Sequence, residues 1–165
     1  MIKFGIIREG KNPPDKRVPL TPRQCKVLLS TYPELQIRVQ PSPIRAFKDE
    51  DYTNAGIELQ EDLSDCDVLL GVKEVPYDML IPGKTYLFFS HTYKKQPYNK
   101  KLLQTILAKN IRLIDYEMLK QAGGKRLLGF GRYAGIVGTY NAFRAWGKMT
   151  NSFELKPAHE CEDRR

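Results

Sequence analysis

Long hydrophobic runs are missing from this sequence. None of its 165 residues lies in a stretch approaching 18 consecutive apolar positions, so no membrane-spanning helix is expected. Cysteine is scarce and odd in number. Cys25, Cys66 and Cys161 are scattered, which argues against a disulfide framework and for reduced thiols in a cytoplasmic protein. There are two histidines, His91 and His159. His159, Glu160 and Cys161 stand together, but no second Cys or His pair lies at ligand spacing, so no metal site is expected. A P-loop, a G-x-S-x-G elbow and a C-x-x-C pair are all absent. The start, MIKFGIIREG, lacks the charged, apolar and small-residue regions of a secretory signal.

The residues that are present suit one ordinary globular domain, or a domain with a further piece attached. Apolar residues make up 41% and aromatics 10%, enough for a core of useful size. The net charge of +8 is unevenly placed. Residues 41–80 hold three basic and ten acidic residues, a net of −7, whereas the remainder holds 24 basic and nine acidic, a net of +15. The basic residues are spread over many segments with no nucleic-acid-binding module among them, so a small anionic ligand is expected rather than nucleic acid.

Apolar periodicity alternates between strand and helix. IKFGIIRE, QIRVQ, DVLLGVK, TYLFFS and IRLIDYE read as strands, with ELQED as a short one and KRLLGF as a further one after a Gly123–Gly124 turn. TPRQCKVLLSTY reads as a helix capped by Thr21, with Pro22 in its first turn and Val27, Leu28 and Leu29 on its apolar face. KDEDYTNAG is a short acidic helix closed by Gly56, and PYDMLIP a short helical turn. YNKKLLQTILAKN carries Leu102, Leu103, Ile106 and Leu107 at helical spacing, and YAGIVGTYNAFRAWGKM is a last helix. Alternating strands and helices imply an α/β fold, Rossmann-like (flavodoxin-like), with a mostly parallel sheet and helices on both faces. Ligands bind such sheets at the carboxyl ends of the strands.

That rule gives meaning to FFSHTYKKQ, where a buried-looking strand stops at His91. Lys73 likewise interrupts LLGVKEVP where apolar character ends, and Arg17 lies in the loop after the first strand. An imidazole suits proton transfer, a lysine near another cation can become a neutral base, and an arginine grips a carboxylate at two points. Each has a plainer reading: a strand-end hydrogen bonder, a surface lysine paired with Glu74, a solvated loop arginine. Convergence on one sheet edge favours the chemical reading.

GFGRYAGIVG imitates a dinucleotide fingerprint, since Gly129, Gly131 and Ala134 fit G-x-G-x-x-A. That fingerprint belongs to the first strand of a nucleotide fold, with an acidic residue about 20 positions on at a second strand's end. Glu154 has the distance but follows no strand. Close packing of a glycine-rich helix start is the expected role, and no residue of this chain is assigned to cofactor binding.

RVPLTP, VQPSPIRAFKDEDYTNAGIELQED, LLGVKEVP, FFSHTYKKQPYN, IRLIDYE and FGRYAGIVG follow one another in this chain. Together they resemble the N-terminal part of the alanine dehydrogenase and pyridine nucleotide transhydrogenase superfamily. Within it the likeness is to lysine-forming saccharopine dehydrogenase and to the lysine–ketoglutarate reductase half of aminoadipic semialdehyde synthase. The resemblance implies a substrate domain over residues 1–138. Residues 139–165 would complete a linking helix and a polar tail toward a nucleotide-binding domain that is missing here. It implies NAD or NADP in the parent enzyme and none bound to this chain alone. It implies Lys73 and His91 as acid–base groups and Arg17 as the carboxylate anchor for a 2-oxo acid or amino acid; at Arg132, where the family pattern differs, a second substrate contact and packing at the domain junction both stay open. An alanine dehydrogenase-like domain and a non-catalytic anion-binding module are the alternatives.

Overall fold

The computed structural model describes residues 1–161. Among the described residues, ten strands and α-helices follow one another, with short 3-10 turns between some of them: β1 (Ile2–Ile6), α1 (Pro22–Thr31), β2 (Leu35–Val39), α2 (Asp49–Asn54), β3 (Glu58–Leu59), β4 (Val68–Leu70), β5 (Thr85–Phe88), α3 (Lys100–Ala108), β6 (Arg112–Asp115) and α4 (Gly131–Thr150). The six strands form one sheet in the order β3-β2-β1-β4-β5-β6. Every pairing in it is parallel. The expected α/β class holds, with a sheet more uniformly parallel than the sequence implied.

Side-chain alternation gives each face of the sheet its own core. Phe4, Ile6, Ile37, Val39, Leu70 and Leu87 face one way and meet Cys25, Leu28 and Leu29 of α1 and Tyr52 of α2. Leu69, Tyr86, Phe88 and Leu113 face the other way and meet Leu102 and Ile106 of α3. Each fully buried large side chain here contributes about 1.5–3 kcal/mol by leaving water. Gly5 is needed in the middle of β1, because a Cβ there would lie 2.7 Å from Leu69 Cδ2 and 3.0 Å from Leu63 Cδ1.

The helix signals in the sequence act as written. Thr21 accepts from the Gln24 amide, and the Gln24 side chain accepts from the Thr21 amide, so α1 starts on a capping box. Its apolar face differs from the expectation: Cys25, Leu28 and Leu29 pack inward, whereas Val27 is 55% exposed. Gly56 closes the turn after α2 at φ +81°.

Two expected elements are absent. PYDMLIP forms turns rather than helix, with the Met79 amide bonded to the Pro76 carbonyl (2.9 Å). The turn does not continue because its backbone groups are taken elsewhere: Ile81 N donates to Tyr86 Oη (2.8 Å), and Lys109 Nζ donates to the Tyr77 and Leu80 carbonyls (3.1 and 2.6 Å). KRLLGF forms no strand: one antiparallel bridge, Lys120 with Arg126, closes around Gly123 and Gly124. Leu127 and Leu128 are exposed, and among the described residues no strand pairs with this run.

The chain divides into two compact units, Met1–Leu127 and Leu128–Arg165. The first holds the sheet. The second is built on α4, which ends at Asn151 in the left-handed region (φ 55°). Phe153 folds back onto the helix against Gly147 and meets Trp146 edge-on at 5.6 Å. Arg144 Nε and Tyr140 Oη donate to the Leu155 and Lys156 carbonyls, at 3.0 and 2.8 Å.

Candidate active site

The carboxyl edge of the sheet is extended by backbone bonds past the strand ends. Ile7 N donates to Leu70 O (3.0 Å), Gly71 N to Leu87 O (2.9 Å) and Phe89 N to Val72 O (3.0 Å). The chain segments leaving β1, β4 and β5 therefore stay side by side as they reach Glu9, Lys73 and His91. β1 and β4 are neighbours although β2 and β3 intervene in sequence, so this edge includes the topological switch point where a crevice opens.

Arg17 comes from the loop after β1. Its Nε and Nη2 both donate to Asp15, at 2.9 and 2.5 Å. These bonds from Arg17 hold the Asp15 carboxyl below the ordinary carboxylate range against partial desolvation, and the Lys73 charge adds to the effect. The guanidinium is pushed further up by the same pairing. Lys73 is half-buried, and among the described residues its ammonium makes no ion pair. Glu74, the expected surface partner of Lys73, instead pairs with Lys11 Nζ at 2.6 Å and turns its other oxygen toward His91 Nε2, 3.9 Å away.

His91 sits at φ 56°, ψ 8°, a left-handed conformation that non-glycine residues adopt at a cost. Asp115, at the end of β6, holds it there. Asp115 Oδ2 accepts from Ser90 Oγ (2.6 Å) and His91 N (3.1 Å), and Oδ1 accepts from Glu117 N (2.9 Å). Phe89 stacks on the imidazole at 6.5 Å and meets Tyr116 edge-on at 5.1 Å.

Glu117, buried beside β6, completes the imidazole's surroundings. Its Oε2 lies 2.6 Å from His91 Nδ1 and 3.3 Å from Lys94 Nζ, while Oε1 takes Arg126 Nη1 at 2.9 Å. Burial pushes the Glu117 carboxyl up, but the bonds from His91 and Lys94 outweigh it and hold the group low. An ionised Glu117 only accepts, so its 2.6 Å contact favours a proton on Nδ1 over the longer 3.2 Å approach of Lys94 Nζ to the same nitrogen, and Nε2, 3.9 Å from Glu74 Oε1, is the nitrogen left to exchange a proton.

The first unit thus brings Arg17, Lys73 and His91 to one edge. Arg132 belongs to the second unit, exposed in the first turn of α4. Sequence reading missed Glu9, Asp15, Lys94, Asp115, Glu117 and Arg126. Their charges look like ordinary surface charge until the strand ends are set side by side. Among the described residues no group of three His, Cys, Asp or Glu is arranged to hold a metal. The G-x-G-x-x-A run has no strand before it, and within its own unit a methyl on Gly129 or Gly131 would touch nothing, so the expected close packing is absent there.

Residues 5–137 match the family described as alanine dehydrogenase/PNT, N-terminal domain. Mitochondrial α-aminoadipic semialdehyde synthase of Bos taurus is 44% identical over 144 residues, covering 87% of this chain and 15% of that protein. The saccharopine dehydrogenase [NAD(+), L-lysine-forming] of Yarrowia lipolytica is 30% identical over 150 residues, covering 88% and 40%. Among solved structures, an L-alanine dehydrogenase superposes with a TM-score of 0.61 at 19% identity, over 75% of this chain and 35% of that one. The chain therefore spans well under half the length of each of these relatives.

Proposed function

The chain belongs to the alanine dehydrogenase/PNT N-terminal domain family, and on that premise we propose that it is the substrate-holding half of an NAD(P)-dependent oxidoreductase acting on an amino acid and a 2-oxo acid. The reaction we assign is that of the saccharopine dehydrogenases, joining lysine to 2-oxoglutarate or the reverse. The observation that carries the reading is the shared carboxyl edge: a paired arginine, a half-buried lysine with no ion pair among the described residues, and an imidazole backed by a buried carboxylate, at neighbouring strand ends.

In this reading Arg17 releases part of its grip on Asp15 to take a substrate carboxylate, for which its planar fork is suited. Lys73 Nζ and His91 Nε2 exchange protons with the nitrogen and oxygen of the condensing amine and carbonyl. Glu117 stabilises the imidazolium formed each time Nε2 takes a proton. Arg132, in the second unit, is proposed to act either as a further substrate contact or in packing at the domain junction. Residues 1–138 form the substrate domain, and residues 139–165 lead toward a nucleotide-binding domain carried elsewhere in a longer protein, without which this chain is inactive. The residues present do not fit a dinucleotide. The turn after β1 reads Arg8-Glu9-Gly10-Lys11 rather than glycine-rich, and the glycine run at 129–134 follows no strand. No step is therefore assigned to the nicotinamide here. A reducing compartment such as the cytoplasm suits three unpaired thiols.

Calorimetric titration of the 165-residue chain tests the proposal. Binding of 2-oxoglutarate is expected, weakened about ten- to a hundredfold in Arg17→Lys and in Lys73→Met, as loss of a charged hydrogen bond implies. Affinity unchanged in both variants, or no binding at all, defeats the reading. Preference for pyruvate over 2-oxoglutarate replaces it with an alanine dehydrogenase-like one.

A further inference from the structure

Glu9 has no part in the roles just assigned, yet its carboxylate spans the switch-point crevice. Oε1 accepts from the Val72 amide at 2.7 Å and Oε2 from the Lys73 amide at 2.9 Å. These amides lie beyond the end of the β1–β4 ladder, whose last bond is Ile7 N to Leu70 O. Among the described residues neither has a backbone acceptor. A carboxylate suits this place because it offers two oxygens and no hydrogen. A glutamine would satisfy one amide and turn its own N–H groups toward the other. The contact is close-fitting: a Cβ on Gly71 would stand 2.9 Å from Ile7 Cδ1 and 3.5 Å from Glu9 Oε1.

We propose that Glu9 is a positioning residue for Lys73: its carboxylate ties the Val72–Lys73 backbone to the end of β1 and so fixes where the lysine side chain stands relative to Asp15, on which both Lys73 and Arg17 act. This rests on the reading of Lys73 and Arg17 as substrate groups. Two charge-assisted bonds to successive amides restrict the backbone at the residue that matters, which a flexible four-carbon side chain cannot do for itself. The groups acting on Glu9 come from three directions: the Val72 and Lys73 amides from the β4 side, Asp15 and Arg17 from the loop after β1, and Tyr116 from the end of β6. Burial raises the Glu9 carboxyl above its ordinary value, the two amide bonds opposing. A protonated Glu9 would give up one of its two acceptors, so the tie weakens on the acid side.

The test is nuclear magnetic resonance on the isotopically labelled 165-residue chain and its Glu9→Gln variant, first without ligand. In the unsubstituted chain the Val72 and Lys73 amide protons should titrate together, with one midpoint above that of an ordinary glutamate. In Glu9→Gln that titration should vanish, the Lys73 side-chain methylene signals should move toward those of a freely rotating lysine, and the Leu70 and Phe88 amides should keep their places. Affinity for 2-oxoglutarate should fall about tenfold in the variant, and its acid-side pH limb should disappear. Amides that ignore pH, or Lys73 methylene signals unmoved by Glu9→Gln, overturn the proposal. Failure of the unsubstituted chain to bind 2-oxoglutarate instead defeats the functional reading, while the ligand-free signals still decide the role of Glu9. Should Glu9→Gln not fold, Lys73 methylene signals that follow the amide midpoint in the unsubstituted chain support the proposal, and signals that do not follow it overturn it.

Discussion

Glu117 gathers three cationic partners, His91, Lys94 and Arg126, around a residue only 4% exposed. Its folded pKa lies below its ordinary value, because the bonds from His91 and Lys94 outweigh the burial that pushes it up. A carboxyl of this kind contributes stability above its unfolded pKa and loses it as pH falls through the folded one. Glu117→Gln should therefore destabilise the chain at pH 7 by about 1.5–3 kcal/mol, the worth of hydrogen bonds to a charged group. The difference should narrow as the solution is taken below the ordinary carboxylate range. Urea unfolding at pH 7 and pH 3 measures both, and a gap that widens toward acid would contradict the assignment. Glu9 has the opposite sign. Its pKa is raised, so its ionisation removes stability as pH rises through the folded value, and the placement of the Lys73 backbone is maintained at that cost. Lys73 and His91 stand out in the sequence because each ends an apolar run, whereas Arg17, in the charged GKNPPDKR loop, is singled out by its place after the first strand and by the resemblance. Glu9 and Glu117 do not stand out. Each sits in a short charged string, RE or DYE, and becomes distinctive only through a partner about 63 or 26 residues away.

Among the elements, α1 is where local chemistry and fold agree best. Thr21, Pro22 and Gln24 specify its start without help from the sheet. Thr21→Ala should cost about 1 kcal/mol, within the 0.5–2 range for losing an N-cap. It should leave the 2-oxo acid affinity unchanged, since the cap lies outside the Arg17–Lys73–His91 edge. Thermal unfolding with a parallel binding titration separates the two effects, and a loss of affinity without loss of stability would show that the cap shapes the Arg17 loop. Strands were legible wherever an apolar run was covered on both faces, as in DVLLGVK and TYLFFS. KRLLGF failed because the apolar run was real and the partner strand was not: a single bridge at Lys120 and Arg126 is all the ladder it finds. Val27 misled for a similar reason. Its neighbours Leu28 and Leu29 already fill the seam toward the sheet, and the 100° step between helical residues turns it outward.

At the scale of the molecule, the strand order decides what kind of site is possible. A parallel sheet ordered β3-β2-β1-β4-β5-β6 sends the chain in opposite directions from β1 and β4, and the crevice between them is where such folds take ligands. In nucleotide-binding versions a glycine-rich turn after β1 lets a helix N-terminus approach a pyrophosphate. Here the same position carries Glu9, Asp15 and Arg17, with Asn12, Pro13 and Pro14 between them, and Glu9 is committed to two backbone amides. A pyrophosphate would meet carboxylates where it needs bare N–H groups. The isolated chain should therefore leave the fluorescence of NADH unchanged at concentrations that saturate it with 2-oxoglutarate. NADH binding of comparable affinity would mean that the crevice accepts a dinucleotide despite its acids, and the division of labour between this unit and a separate nucleotide-binding domain would have to be abandoned. Binding of the 2-oxo acid alone, weakened about ten- to a hundredfold in Lys73→Met and indifferent to NADH, is the behaviour expected of a unit whose chemistry is proton and carboxylate handling.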